Sequence, residues 1–333
     1  MKSYIKRMLP IMIGIVLSFL VPVMVGFDEF YILLATTILV YSVVASAWNI
    51  IGGFGGQLDL GAAAYLGLGA FITGNLLLKF GITPWIGMFI GGITATAVAI
   101  VIGYPTFRLG VKGVWYALST ISVVYILQTL FLMWEEVGGP VEKWLPRGEA
   151  SLYYLSFRTY IPYYYIALVF LIITLIINRL VEHSRLGYSL KALAYDEDAA
   201  MSLGINVQRT KLKALMIYSF IVGTFGGFYV CFTGFMHPVV DFSIPFSIEI
   251  VVLGIVGGLG TIYGPLLASL ILVSLKEYLR GTFGAIIMGI YPAIYAIALI
   301  LIILFAPQGL ASVLKEAFYF IITKLRIRTM RGG

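Results

Sequence analysis

The chain has 333 residues, of which 61% are apolar and only 11% charged, with a mean hydropathy of +1.01. A soluble domain is nearer half apolar and about a quarter charged, so a soluble enzyme, a disordered chain and a disulfide-stapled fold are excluded, and a polytopic membrane protein remains. The formal net charge of +7 comes without a basic run interleaved with exposed aromatics, which speaks against nucleic acid as a partner and fits basic residues gathered on one membrane face.

A helix needs about 20 apolar residues to cross the hydrocarbon. In chain order, such stretches are Met8–Val25, Phe30–Ile50, Leu58–Leu78, Trp85–Gly103, Val114–Met133, Tyr160–Ile177, Ala214–Phe235 and Met288–Phe305. Lys2, Lys6 and Arg7 ahead of the first stretch resemble a signal-peptide start, but no small-x-small cleavage site follows before Asp28 and Glu29, so it reads as an uncleaved helix. Phe242–Leu279 is twice one span and is interrupted by Gly257-Gly258-Leu259-Gly260, so it reads as two helices joined by a tight turn, the first of them short. The expectation is an all-α membrane domain over residues 1–333 with about ten spans.

The distribution of positive charge orients it. With both termini cytoplasmic, sixteen of the 22 Lys and Arg fall inside, including the tail Lys315–Arg331, and Lys79, Lys143, Arg147, Arg158, Lys276 and Arg280 fall outside. The loop Trp134–Thr159 then faces out, with Trp134, Trp144, Tyr153 and Tyr154 as an interfacial belt. Small residues recur every four positions at Gly87, Gly91, Ala95, Ala99 and Gly103, at Ser219, Gly223 and Gly227, and at Gly260, Gly264 and Ala268, which suits close helix packing.

Polar groups inside apolar segments are costly and often functional. Gln57, Asp59 and Glu249 are the candidates for a substrate pathway, with Asn49 and Asn75 behind them. Gln57 and Asp59 follow a break formed by Gly52, Gly53, Gly55 and Gly56, and Glu249 precedes the break formed by Gly257, Gly258 and Gly260. Broken segments in both halves of a transporter point to its pathway. Plainer roles stay open: an N-cap for Asp59, a bond from Gln57 to the Gly turn, and burial against a polar partner or an interfacial position for Glu249. No catalytic constellation is present, neither H-E-x-x-H nor G-x-S-x-G. The lone Cys231 and the distant His183 and His237 make no metal site, and no cofactor is expected.

The most informative segment is the hydrophilic loop Asn178–Lys213. Leu190, Leu193 and Ala194 give its first helix an apolar face. Asp196, Glu197 and Asp198 suit the N-terminus of a second short helix, followed by Ala199, Ala200 and a terminating Gly204. Asp198-Ala199-Ala200-x-x-x-Gly204 resembles the EAA loop of ABC-importer permeases, with Asp in place of Glu. The stretch SRLGYSLKALAYDEDAAMSLGINVQRTKLKA looks like the corresponding loop of branched-chain amino acid permeases. GGFGGQLDLGAAAYLGLGAF (Gly52–Phe71), GVKGVWYALSTI (Gly110–Ile121) and SIEIVVLGIVGGLGTIYGPLL (Ser247–Leu267) resemble other signatures of that family, in order along nearly the whole chain. The family often has Ser and His where this chain has Asp59 and Ala62.

The resemblance implies a permease subunit in the cytoplasmic membrane. In it, Asp196, Glu197, Asp198, Ala199, Ala200 and Gly204 would couple to two ABC ATPase subunits, beside a homologous second permease and an extracytoplasmic substrate-binding protein. ATP would be bound elsewhere, because the chain has no G-x-x-x-x-G-K-[ST] phosphate loop. Few ionisable groups in the spans suit a hydrophobic amino acid, and equally a neutral solute such as urea or an amide. An ion-coupled transporter usually carries a longer relay of buried charge.

Overall fold

The computed structural model describes residues 18–146, 150–283, 290–305 and 309–312. Most of the expected span Met8–Val25 lies outside them, as do Arg147 and the tail Lys315–Arg331, and residues 18–24 are helical. Seven helices among the described residues are long and apolar enough to cross a membrane. They are α1 (Glu29–Ile51), α2 (Ala62–Phe80), α3 (Pro84–Arg108), α4 (Val114–Met133), α5 (Ile161–Glu182), α8 (Val207–Thr233) and the stretch Pro238–Gly257, in which α9 (Pro238–Asp241) leads into α10 (Ile244–Gly257). Between α5 and α8 lie α6 (Arg185–Tyr195) and α7 (Glu197–Ser202). The chain continues through α11 (Gly264–Phe283) and α12 (Ile290–Phe305). Strand β1 (Lys143–Trp144) pairs antiparallel with β2 (Phe235–Met236), Trp144 opposite Phe235.

Local chemistry sets the ends of these helices. Asp28 caps α1 by accepting from the Phe30 amide at 2.8 Å, and Asn206 caps α8 by accepting from Arg209 at 2.9 Å. Buried hydroxyls such as Thr36 and Thr174 donate to carbonyls four residues back, at 2.7 and 2.8 Å, and so need no water.

The tightest packing is among α2, α3 and α8, and it depends on missing side chains. A methyl on Gly69 of α2 would overlap the Gly223 carbonyl oxygen of α8, and one on Gly91 of α3 would stand 2.9 Å from the Gly69 Cα. A methyl on Gly223 would likewise overlap that of Ala95. All five small residues of the expected α3 stripe, Gly87 through Gly103, are buried. The α8 stripe packs directly on it, while Gly264 of the third stripe meets Gly257 instead.

The bundle has two distinguishable ends. At one, Gly55 and Gly56 just past α1 lie against Leu190 and Ala194 of α6, and Glu197 of α7 pairs with Lys211 in the first turns of α8. At the other are the start of α1, the end of α8 and the β1–β2 ribbon. His183 at the end of α5 and His237 after β2 belong to opposite ends.

The loop expected over Asn178–Lys213 is shorter in the structure, because helices enter it from both sides. Asn178 lies in α5, fully buried, with its amide donating to Ser46 O at 2.9 Å and Thr174 O at 3.0 Å. Lys211 and Lys213 lie in α8, where the ion pair with Glu197 lets Lys211 be buried inside a helix. Lys276, placed by the charge count in an outer loop, also lies within a helix, α11.

Gly69→Leu forces a side chain into backbone atoms that cannot give way, and overpacking costs about 1–3 kcal/mol even against yielding neighbours. Thermal unfolding of the detergent-solubilised chain is expected to show a lower Tm for Gly69→Leu than for Gly281→Ala, where nothing lies within 4 Å. Equal Tm values would contradict the three-helix contact.

Candidate functional site

The α6–α7 unit is built as its sequence suggests. Ser184 caps α6, and Leu190 and Leu193 bury its inner face. Asp196 caps α7, its Oδ1 accepting from the amides of Asp198 at 2.9 Å and Ala199 at 3.0 Å. The helix ends in a Schellman arrangement: Gly204 N–H donates to Met201 O at 2.9 Å and Ile205 N–H to Ala200 O at 3.1 Å. Gly204 has φ +84°, the left-handed conformation this closure needs and glycine adopts at no steric cost.

Glu197 locks the unit to the bundle. Its carboxylate accepts from Lys211 of α8, whose side chain is almost fully buried over the Phe107 ring, and from Lys112 of the α3–α4 turn at 3.1 Å. Burial works to raise the Glu197 pKa, but hydrogen bonds from the two lysines, reinforced by their charges, outweigh it and hold the carboxyl below the usual range. Ala200 is buried, whereas Asp198 is largely exposed. Tyr195 is 98% exposed and Leu203 83% exposed, so the unit presents an apolar, unpartnered outer surface. Sequence reasoning names the acidic and small residues of this unit and misses these two. Their signal is available: large apolar side chains at the boundaries of a short polar helix.

Directly beneath, the two glycine breaks meet. Asn49, in the last turn of α1, accepts through Oδ1 from Gly260 N–H at 3.1 Å and donates through Nδ2 to Thr261 O at 3.2 Å and to Asn178 Oδ1 at 3.4 Å. One buried amide thus ties the α1–α2 break to the α10–α11 break and to α5. The carbonyl oxygen of Gly53 comes so near Gly260 that a methyl there would stand 3.2 Å from it. Asn49 is a secondary candidate in the sequence; Asn178 is not one, because it reads there as the start of a loop.

Asp59 is not the N-cap of α2. That position is Gly61, and a serine from another helix supplies the cap: Ser247 Oγ of α10 accepts from Ala63 N–H at 2.9 Å. Asp59 lies two residues before Gly61, fully buried, accepting from Gly61 N–H at 2.7 Å and from the Tyr116 hydroxyl at 2.7 Å. Its carbonyl accepts from the Trp48 indole at 2.8 Å, and Thr120 accepts from Leu60 N–H at 2.9 Å. Gln57 donates back to Gly55 O at 3.3 Å, as the plainer reading has it. Its own Oε1 is buried without a partner among the described residues.

Glu249 belongs to a separate cluster. It pairs with Lys276 of α11 at 2.6 Å, and Lys276 also donates to the Tyr41 hydroxyl at 3.0 Å and stands over the Tyr41 ring. The structure therefore brings together Gln57, Asp59 and both glycine breaks at the α6–α7 end, and does not bring Glu249 to them. Asn75 is elsewhere, donating to Val137 O at 2.9 Å.

Comparison with known proteins places the chain in a family. Residues 30–307 match the family model described as branched-chain amino acid transport system / permease component. The chain is 27% identical over 334 aligned residues to the high-affinity branched-chain amino acid transport system permease protein LivM of Escherichia coli, covering 92% of this chain and 76% of that protein. It is 26% identical, with the same coverage, to LivM of Salmonella typhimurium. No solved structure matches the chain.

Removing one partner of a buried ion pair costs about 3–5 kcal/mol, so Glu197→Gln should loosen α7. Limited proteolysis across residues 195–206 should then be faster, and restored in the double variant with Lys211→Met. Because the folded-state pKa of Glu197 is lowered, the lock is complete above the usual Glu range and weakens as pH falls through that lowered value; the proteolysis rate should rise there in the parent chain and not in the double variant. Asn49→Leu leaves the fully buried Asn178 Oδ1 without that donor, at about 1–3 kcal/mol, and also removes the partner of the part-buried Gly260 N–H and Thr261 O. It should lower the Tm more than Asn75→Leu, whose bonds join only one helix turn and a loop.

Proposed function

The chain belongs to the family of branched-chain amino acid transport permease components, multi-pass membrane transport proteins, and from that premise we propose that it is the permease subunit of an ATP-driven importer of branched-chain, hydrophobic amino acids. Hydrolysis takes place on two partner ATPase subunits. A second, homologous permease completes the pathway, and an extracytoplasmic binding protein delivers the substrate. The α6–α7 end faces the cytoplasm with both termini, and the β1–β2 end faces out, in a topology of about ten spans.

The observation that carries this reading is the contact of the α6–α7 unit with the first glycine break. Tyr195 and Leu203 offer an exposed apolar surface to a partner. On the inner side, Leu190 and Ala194 rest on Gly55 and Gly56, and Asn49 passes that contact to the second break. A displacement of α7 by a docked ATPase would therefore reach both breaks. Gly turns are where helices can change direction at least steric cost. Such a hinge needs neither reactive groups nor bound metal.

Ala200→Arg places a charge at a buried position, and Gly204→Asp strains a left-handed turn that nothing crowds. Both should abolish ATP-driven leucine uptake in reconstituted vesicles and weaken association with the ATPase, while the solubilised chain keeps its fold. Leucine uptake that follows a proton or sodium gradient with no ATPase present would refute the importer and favour an ion-coupled transporter.

A further inference from the structure

At the end of the bundle away from α6–α7, a cavity of about 360 Å³ opens between α1, α8, α10 and α11. It falls within the roughly 300–1,000 Å³ of small-molecule sites. One wall is apolar, with Leu33, Leu34, Val40 and Phe246. Another wall is α11, where Lys276, Glu277 and Arg280 fall within about one turn of the helix. These charges make α11 the one long helix among those from α1 to α11 that falls outside the membrane-crossing set. Charged side chains on a helix of a membrane protein commonly face a cavity or a partner rather than lipid.

The charges are balanced in pairs. Lys276 is engaged by Glu249 and Tyr41. Arg280 reaches Glu277 at 3.2 Å through Nη2, with its side chain more than half exposed. Arg280 carries five N–H donors, and among the described residues its only ion pair is to Glu277. With Glu249 counted behind the wall the charges balance, and the cavity presents a donor and an acceptor of opposite sign side by side. A lone anion would meet the Glu277 carboxylate, and a lone cation the guanidinium. A neutral amide would have to compete with an intact ion pair. A zwitterion whose ammonium and carboxylate share one carbon can take both partners at once.

We propose that this cavity is the site where the permease receives its amino acid. Arg280 binds the α-carboxylate, Glu277 the α-ammonium, and the wall of Leu33, Leu34 and Phe246 the hydrocarbon side chain. The proposal rests on the importer reading and adds to it a location, a charge requirement and residues that neither the family match nor the glycine breaks point to. Lys276 and Glu249 act as positioning residues, fixing α11 against α1 and α10.

The test uses the full chain in its membrane with Thr37→Cys, a near-isosteric change at the cavity wall, against the buried native Cys231. Labelling of the introduced thiol by a hydrophilic maleimide should slow at least fivefold with leucine. Neither leucinamide, which lacks the carboxylate, nor 4-methylpentanoate, which lacks the ammonium, should protect. Arg280→Gln should raise the KM for leucine uptake at least tenfold and remove protection, with Arg280→Lys recovering part of both. Leucine transport by the Thr37→Cys chain without any protection would overturn the site and leave the importer reading standing. Equal protection by leucinamide would overturn the paired-charge assignment. Leucine neither transported nor protective, in a chain whose Tm matches the parent, would defeat the importer reading and the site with it.

Discussion

Backbone amides and carbonyls inside a bilayer have no water to bond, so every break in a membrane helix has to be satisfied by protein. This constraint shapes the α6–α7 end of the bundle. The chain interrupts itself twice, after α1 and after α10, and recruits side chains from α1, α4 and α10 to cover the exposed backbone. Asn49 takes the Gly260 amide and the Thr261 carbonyl. Trp48 takes the Asp59 carbonyl, Thr120 the Leu60 amide and Ser247 the Ala63 amide. These partners come from α1, α4 and α10, so the breaks are held only when those helices are all in place.

The surrounding helices are rigid for a related reason. Packing between membrane helices gains little from the hydrophobic effect and depends on close backbone approach. Gly69, Gly91 and Gly223 allow it between α2, α3 and α8. The result is a closely packed three-helix block beside a region of turns.

Much of this is legible in the sequence, and the reasons differ by residue. Span positions follow from apolar length, and the α3 and α8 stripes from the four-residue repeat of small side chains. The cap at Asp196 and the closure at Gly204 follow from local chemistry alone. What sequence does not supply is pairing across distance. Asn178 reads as the edge of a polar loop until Asn49, 129 positions away, is seen against it. Lys211 and Lys213 read as loop charges because the neutralising Glu197 is fourteen residues upstream of the first of them. Lys276 reads as a loop residue because its partner Glu249 lies on another helix. For Asp59 the cap reading stays open beside the pathway one because the serine that caps α2 comes from α10, 184 positions beyond the amide it accepts from. In each case a polar group looks exposed or local because its partner is remote.

The two ends of the bundle share their supports. α1 carries Tyr41 against the Lys276–Glu249 pair and Asn49 at the glycine breaks, eight residues and about 12 Å apart at 1.5 Å per residue. α8 carries Lys211 under the Glu197 lock and Tyr229 at the cavity, about 27 Å apart by the same rise. Both helices are continuous between those points, and α8 is bound along its length into the glycine-packed block. A continuous helix that tilts about a point displaces its residues on either side of that point. A tilt of α1 at Asn49 would therefore reach Tyr41 and, through it, Lys276 beside the cavity, and α8, tied to α7 through Lys211, forms the facing wall.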